Sequence, residues 1–277
     1  MTEYGIENWG RFQKSGVEPE DIKAMKMETV ENAFEDTKED FEHLVKQISN
    51  GIREGRWTAI LGDDVSGRLS ALVIGKIITR YAKEHEMKVP ECIFFAGGSV
   101  PYEDVSDEDL LNVEQSKKNI AEQQQKLEEY IYQQSNRLGN KVLIVTEHIV
   151  SGRTIQRIAK ALHKKGINFD IASLWSTRQS SIYKQIFEHE DSSEIFEGAE
   201  FYIGKENADA SDPFGSEVSN VLYKLGVPLN EAAGIRKSST EPVVELNKDA
   251  DRDLVKLARQ KVNELADELY SNSFNKR

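Results

Sequence analysis

The chain has 277 residues, of which 38% are hydrophobic and 30% charged, enough for one α/β core with additions or for two small domains. Its 48 acidic and 36 basic residues give a net charge of −12, which argues against nucleic acid or an anionic membrane as a general partner. The single cysteine, Cys92, excludes an internal disulfide and a cysteine-based zinc cluster, and its apolar neighbours predict a core position.

The N-terminal region is predicted to precede the core. It lacks a basic start followed by an apolar stretch, and no run in the chain reaches membrane-spanning length, so we expect a soluble, cytoplasmic protein without a membrane partner. Residues 1–36 have no clean period and predict an irregular arm with a short helix over residues 19–27. Thr37 with Asp40 marks a helix start, and apolar residues at helical spacing continue that helix to about Arg53.

Strands and helices alternate along the middle of the chain. Continuous apolar runs predict strands over residues 57–61, 91–95, 142–145, 169–175 and 201–203. Apolar residues at helical spacing predict helices over residues 69–81 and 154–163. This order predicts an α/β fold with an open, mainly parallel sheet and helices on both faces.

Three regions follow from this alternation. They are an N-terminal arm and helix over residues 1–56, a core over residues 57–240, and a C-terminal helical region over residues 241–277. An insertion at residues 102–140 carries apolar residues at seven-residue steps, which predict a long helix with one packed face; a dimer arm and a plain surface excursion are alternatives. An amphipathic helix over residues 249–270 is expected to pack on the core or on a partner subunit, which leaves a homodimer open.

A strand, a polar turn and a helix N-terminus come together after residue 141. The turn contributes a flexible backbone and three polar side chains: Ser151, Gly152, Arg153 and Thr154. A helix N-terminus at the carboxyl end of a parallel strand presents free N–H groups to an anion, and Gly152 allows close approach. Glu147 would repel a phosphate unless it holds sugar hydroxyls or a metal. The sequence therefore predicts a sugar-phosphate site.

The loop after the first core strand has the same character. It contains glycines, a serine, an arginine and two acids: Gly62, Asp63, Asp64, Ser66, Gly67 and Arg68. Two such loops on neighbouring strands could hold the two ends of one polyphosphorylated ligand. Asp63 and Asp64 offer hard oxygen ligands that suit Mg²⁺ beside phosphates, and the alternative for either is a helix cap.

The first of these motifs resembles the phosphoribosyl-diphosphate (PRPP) motif of the type I phosphoribosyltransferase (PRTase) superfamily. In that motif an apolar strand is followed by two acids, a few variable residues and a T-G-x-T or S-G-x-T turn. On this chain Thr146 and Glu147 fall on the acid pair, and Ser151–Thr154 fall on the turn. The chain differs from the pattern at Thr146, which replaces the first acid, and at Val150, where some purine-salvage members have an acid.

The resemblance implies a type I PRTase-like core, a flap formed by the insertion and a Mg²⁺ cofactor. It implies that Thr146 and Glu147 hold the ribose hydroxyls, the turn holds the 5′-phosphate, and Ser66, Gly67 and Arg68 hold pyrophosphate. The implied activity is transfer of phosphoribose from PRPP to a nucleobase or similar nitrogen heterocycle in nucleotide metabolism. A non-catalytic PRPP or nucleotide sensor is an alternative that the missing acid favours. A sugar-acid kinase-like enzyme is a further alternative resting on Asp63 and Asp64.

Three other positions are weighed for roles at this site. His148 follows Glu147 directly and is a candidate acid or base, the alternative being a polar loop residue without a proton-transfer role. Arg178 is a substrate-contact candidate because it follows a predicted strand. The five histidines show no metal-binding spacing.

Overall fold

The computed structural model describes residues 18–63, 67–95, 110–149, 152–176, 192–206, 232–237, 242 and 244–274. Its helices are α1 (Pro19–Asp36), α2 (Lys38–Arg53), α3 (Gly67–Glu84), α4 (Leu110–Leu138), α5 (Arg153–His163), α6 (Ser192–Ile195) and α7 (Arg252–Phe274). Its strands are β1 (Ala59–Asp63), β2 (Glu91–Phe95), β3 (Lys141–Ile149), β4 (Asn168–Ser176), β5 (Phe201–Glu206), β6 (Ile235–Lys237) and β7 (Val244–Leu246).

Strands β1 to β5 form one parallel sheet in the order β2-β1-β3-β4-β5. Helices α2, α3 and α7 cover one face, and α4 and α5 cover the other. The predicted α/β class with a parallel sheet between helices is therefore confirmed. The order reverses direction between β1 and β3, and the crevice outside the carboxyl ends of two such strands is where open α/β sheets bind ligands.

The central strand β3 shows why this sequence forms a sheet buried on both faces. Val142, Leu143, Ile144 and Val145 are all fully buried, alternately against the two helical layers. Burying one such side chain contributes about 1.5–3 kcal/mol. The apolar run therefore fixes β3 in the middle of the sheet and brings its polar end to the carboxyl edge.

Helix α1 is longer than the sequence pattern predicts. The predicted short helix continues to Asp36, because Val30 and Phe34 are buried in the core layer that also contains α7. The predicted helix start at Thr37 is confirmed, because Thr37 is the N-cap residue of α2, but its side chain makes no capping hydrogen bond. The Thr37 hydroxyl donates back to the Ala33 carbonyl oxygen at 2.7 Å.

The core position predicted for Cys92 is wrong. Cys92 is exposed, because β2 is the edge strand of the sheet in the described part of the chain. Only Ile93 and Phe95 of this strand are buried. An apolar run does not distinguish an edge strand from a central one.

Strand β5, which is the other edge of the sheet among the described residues, is capped by a side chain. The Gln47 amide nitrogen donates to the Ile203 carbonyl oxygen at 2.7 Å, and the Ile203 amide donates back to the Gln47 side-chain oxygen at 3.2 Å. Because Gln47 lies on α2, these bonds also fix that helix against the sheet.

A buried carboxylate, Asp170, ties the amino-terminal edge of the sheet together. It accepts hydrogen bonds from Trp57 Nε1 at 2.8 Å and from the Glu200 amide at 3.0 Å. Two cations also lie beside it: Lys141 Nζ is 3.0 Å from Oδ1, and Arg56 Nη1 is 4.0 Å from Oδ2. This network is at the opposite end of the strands from the predicted ligand site and has a structural role.

The insertion and the C-terminal region form helices as predicted, with different limits. Leu127, Ile131 and Leu138 of α4 are buried against the sheet, and α7 packs on α1, α2 and α3 of its own chain. The antiparallel pair β6–β7 was not predicted. Across the described residues, no helix is both long and apolar enough to cross a membrane.

Several predicted positions lie outside the described residues. They are the arm before residue 18 and Asp64, Ser66, Val150, Ser151 and Arg178.

Candidate active site

An acid and a threonine, Asp63 and Thr146, meet in the crevice between β1 and β3, and the acid Glu147 follows Thr146 in β3. Gly62 of β1 pairs with Val145 of β3, so the next residues, Asp63 and Thr146, end the two strands side by side. The Thr146 hydroxyl donates to Asp63 Oδ2 at 3.5 Å, a long hydrogen bond. Asp63 is 5% exposed, Thr146 3% and Glu147 fully buried. Both strands run further than predicted, so these polar side chains lie in strands rather than in loops.

Gly67 brings the start of α3 against β3. A Cβ built at this position would lie 3.0 Å from the Val145 carbonyl oxygen and 3.3 Å from Thr146 Cα. Few side chains could occupy this space without moving the backbone. The glycine therefore places the α3 N-terminus directly beside the Asp63 and Thr146 side chains.

Gly152 places a second helix N-terminus at the same edge. Its φ of 70° and ψ of −3° are left-handed, a conformation that favours glycine, and it is the residue before the first turn of α5. Thr154 in that turn is half-buried, whereas Arg153 is exposed. The amides of the first turn of α5 have no partner within the helix and form an anion-binding end.

Arg157 adds a cation to the crevice that the sequence motifs do not predict. It is half-buried one turn into α5, and burial lowers the pKa of its guanidinium while the Asp63 carboxylate opposes that shift. Arg157 Nε donates to Gln124 Oε1 at 3.4 Å, and the Gln124 amide donates to the Arg157 carbonyl oxygen at 3.3 Å. Helix α4 therefore orients the cation. The available signal was its spacing of four residues from Arg153, which places both on one helix face.

A row of His148, Trp175 and Lys205 crosses β3, β4 and β5 beside the crevice. The His148 and Trp175 rings meet edge to face with centroids 6.1 Å apart, and Lys205 Nζ lies 5.4 Å from the centroid of the Trp175 ring. Trp175 Nε1 donates to Asp40 Oδ2 at 2.7 Å. Gly204 permits this packing, since a Cβ there would lie 2.5 Å from the Asp40 carbonyl oxygen. His148 is thus a half-buried strand residue in an aromatic contact.

Two residues of the predicted pyrophosphate loop contact the Phe94 ring of β2. A Cβ at Gly62 would lie 2.4 Å from Phe94 Cδ1, so packing against that ring explains this glycine. The Arg68 guanidinium lies 4.7 Å from the centroid of the same ring. The structure thus brings together Asp63, Gly67, Thr146 and Arg157 of α5, with Glu147 next in β3, whereas Arg68 points to the edge strand.

The donor set can be compared with the Mg²⁺ that the resemblance implies. Within the described ranges, no group of three or more His, Cys, Asp or Glu side chains is arranged to hold a metal ion. Mg²⁺ bound with a phosphorylated substrate commonly takes one or two protein carboxylates and fills its other positions with phosphate oxygens and water. The Asp63 carboxylate at the end of β1 suits that mode of binding.

The crevice combines hydrogen-bond acceptors for hydroxyl groups with a helix N-terminus and a cation for an anion. No family model, no curated protein and no solved structure matches this chain. The chemistry of the crevice is therefore the basis for a functional assignment.

Proposed function

We propose that this protein is a PRTase-like enzyme that binds PRPP in the crevice between β1 and β3 and transfers its phosphoribosyl group to a nitrogen heterocycle. The observation that carries the proposal is the fully buried Glu147 on β3, followed within the same strand-turn-helix unit by the left-handed Gly152 and the N-terminus of α5. A sugar phosphate needs an acceptor for its hydroxyls and a donor set for its phosphate at this spacing. The crevice offers both.

Each part of the ligand has a proposed contact. Glu147 and Thr146 accept hydrogen bonds from the ribose hydroxyls, and the α5 amides with Arg157 bind the 5′-phosphate. The pyrophosphate lies toward the N-terminus of α3, which Gly67 brings close to the ends of β1 and β3. Asp63 with Asp64 would hold Mg²⁺, which would offset the charge of the leaving pyrophosphate.

The acceptor heterocycle is proposed to lie against the His148, Trp175 and Lys205 row. Trp175 is half-buried and offers an aromatic surface that Asp40 holds in a fixed orientation. Aromatic rings stack on planar heterocycles, and the neighbouring Lys205 favours an electron-rich or anionic ring. His148, whose ring is in edge-to-face contact with Trp175, is the candidate in this row for exchanging a proton with the acceptor.

One observation favours a sensor without transfer activity as the second candidate. Thr146 replaces a carboxylate, and its hydroxyl donates to Asp63. One acid fewer weakens electrostatic stabilisation of a positively charged, oxocarbenium-like ribose, while a hydroxyl still supports binding. The enzyme and the sensor therefore share the ligand and differ in turnover.

The test is ligand-induced thermal stabilisation combined with pyrophosphate release. A ligand present at 100 times its Kd adds about 2.7 kcal/mol to the free energy of unfolding. PRPP should raise the Tm of the unmodified chain, Glu147→Gln should abolish the rise, and the exposed control Glu194→Gln should retain it. Pyrophosphate release with a panel of bases identifies the enzyme, and binding without release identifies the sensor. If PRPP leaves the Tm unchanged while ATP raises it, the PRPP proposal is wrong and the kinase-like alternative is favoured.

A further inference from the structure

A groove of about 800 Å³ runs along α3, between that helix, α7 and the edge strand β2. Small-molecule sites commonly occupy about 300–1,000 Å³. Its lining contains uncharged residues such as Leu72, Gly75, Cys92 and Asn263, three basic residues and two acidic ones. The described residues of the crevice do not line this groove, so it is a second candidate site.

The groove has an excess of positive charge although the whole chain has a net charge of −12. Arg80 on its wall is balanced by Glu84 and Asp267, each 3.0 Å away. Lys76 and Lys83 are exposed, and neither forms an ion pair with any other residue that the structure describes. Two cations along the groove are therefore left for a ligand.

Two arginines extend the walls beyond one end of the groove. Arg68 precedes Leu72 by one helical turn on α3, and Arg259 precedes Asn263 by one turn on α7. Arg68 is half-buried over the Phe94 ring, and its pKa is lowered by burial and by the charge on Arg259. In the described ranges neither arginine is within ion-pair distance of a carboxylate. Two guanidinium groups that repel each other, and that no described carboxylate neutralises, suit an anion placed between them.

We propose that this groove binds an extended small molecule bearing several phosphate groups, such as a nucleoside polyphosphate. One phosphate lies between Arg68 and Arg259, where guanidinium groups can form bidentate hydrogen bonds. The rise of α3 separates Arg68 from Lys76 by about 12 Å and from Lys83 by about 22 Å, so a single phosphate cannot reach all three. The ligand lies along the helix with its less polar part on Leu72. This proposal does not depend on PRPP binding in the crevice.

The test is calorimetric titration of the full chain with inorganic tripolyphosphate and, separately, with ATP. Arg157→Gln is introduced throughout to weaken phosphate binding in the crevice, so that failure of the PRPP proposal does not affect the result. The groove variant is Lys76→Gln, Lys83→Gln and Arg259→Gln, which leaves Arg68 and the core unchanged. A control variant with the same loss of charge on other surfaces is Lys46→Gln, Lys160→Gln and Lys248→Gln, all exposed positions.

We expect the groove variant to weaken both probes at least about tenfold and the control to weaken them less than about threefold. The proposal is wrong if the groove variant binds the probes as tightly as the control variant does. A loss of affinity that is the same in both variants would reflect their shared change in net charge and not the groove. A fluorescent single-stranded oligonucleotide provides the remaining comparison. If this oligonucleotide binds more tightly than ATP, and only the groove variant fails to bind it, the ligand is a nucleic acid and the small-molecule proposal is wrong. Thermal melts of both variants verify that they remain folded.

Discussion

Gly67 at the start of α3 lies so close to β3 that a Cβ on it would stand 3.0 Å from the Val145 carbonyl oxygen. Gly67→Ala must therefore move α3 away from β3 by a few tenths of an ångström. We expect a loss of about 1–3 kcal/mol in the free energy of unfolding, together with weaker ligand binding in the crevice. Urea denaturation and PRPP-dependent thermal shifts measure the two effects.

Gly75 provides the matched control on the same helix. A Cβ at Gly75 would meet Ile60 Cδ1 at 3.6 Å and Cys92 Sγ at 3.7 Å, which are ordinary contacts. Gly75→Ala should gain about 0.5–1 kcal/mol from the higher helix propensity of alanine. If both variants are equally stable, the packing role assigned to Gly67 is incorrect.

Gly152→Ala tests the left-handed turn before α5. Forcing alanine into this conformation costs about 1–2 kcal/mol, and the turn should also shift away from a bound phosphate. Gly166 has a φ of 66°, and a Cβ added to it would have nothing within 4 Å. Gly166→Ala should therefore lose stability only through the strain of the left-handed backbone. We therefore expect similar Tm values for Gly152→Ala and Gly166→Ala without ligand, but PRPP stabilisation only in the latter. If PRPP stabilises both variants equally, the turn at Gly152 is not part of the ligand site.

Trp175 supplies a spectroscopic test of the proposed acceptor position. A ligand stacked on the Trp175 ring should quench or shift the fluorescence of this residue. The fluorescence of Trp57, which is hydrogen-bonded to Asp170 at the opposite edge of the sheet, should not change. In a Trp9→Phe background the change should disappear with Trp175→Phe. A change that persists in that variant would place the ligand elsewhere.

Asp170→Asn should destabilise the sheet without changing ligand binding. The amide cannot replace both acceptor oxygens, so the Trp57 indole, the Glu200 amide or Lys141 loses its partner in a buried position. We expect a loss of about 2–4 kcal/mol in urea denaturation and an unchanged Kd for PRPP. The exposed control Asp249→Asn should remain within about 0.5 kcal/mol of the unmodified chain.

Tyr270 predicts an alkaline loss of stability. Burial and its hydrogen bond to Glu84, 2.5 Å long, raise the pKa of Tyr270 to about 12. The unfolded chain releases this proton near pH 10, so the folded chain binds more protons between pH 10 and 12 and its stability falls over that range. Tyr270→Phe should remove this part of the pH dependence. Denaturation midpoints that fall equally in both proteins above pH 10 would assign the loss to other groups.

The sequence predicted the class of the fold because the apolar runs of β1, β3 and β4 are buried on both faces. It did not predict where the strands end, since Asp63 and Glu147 are polar but still belong to β1 and β3. Their burial depends on the neighbouring strand and on the helix packed above them. The length of α1 was also missed, because Val30 and Phe34 are buried by distant parts of the chain and not by a local period.

The sequence pointed to the central residues of the candidate site but not to the residues on either side of it. Glu147 and Gly152 carry local signatures of a strand and a turn. Arg157 and Trp175 enter the site only through the register of the sheet and the packing of α4 and α2, which one sequence does not show. The same limit applies to Arg68, whose direction depends on the position of Phe94.

The paired hydrogen bonds between Gln47 and Ile203 have a consequence for how the molecule meets its own copies. A side-chain amide offers one donor and one acceptor in the arrangement of a peptide group, so at this point it occupies the place of an incoming strand. Continued strand addition along β5, which would lead toward fibrils, is thereby opposed by a residue that belongs to a helix.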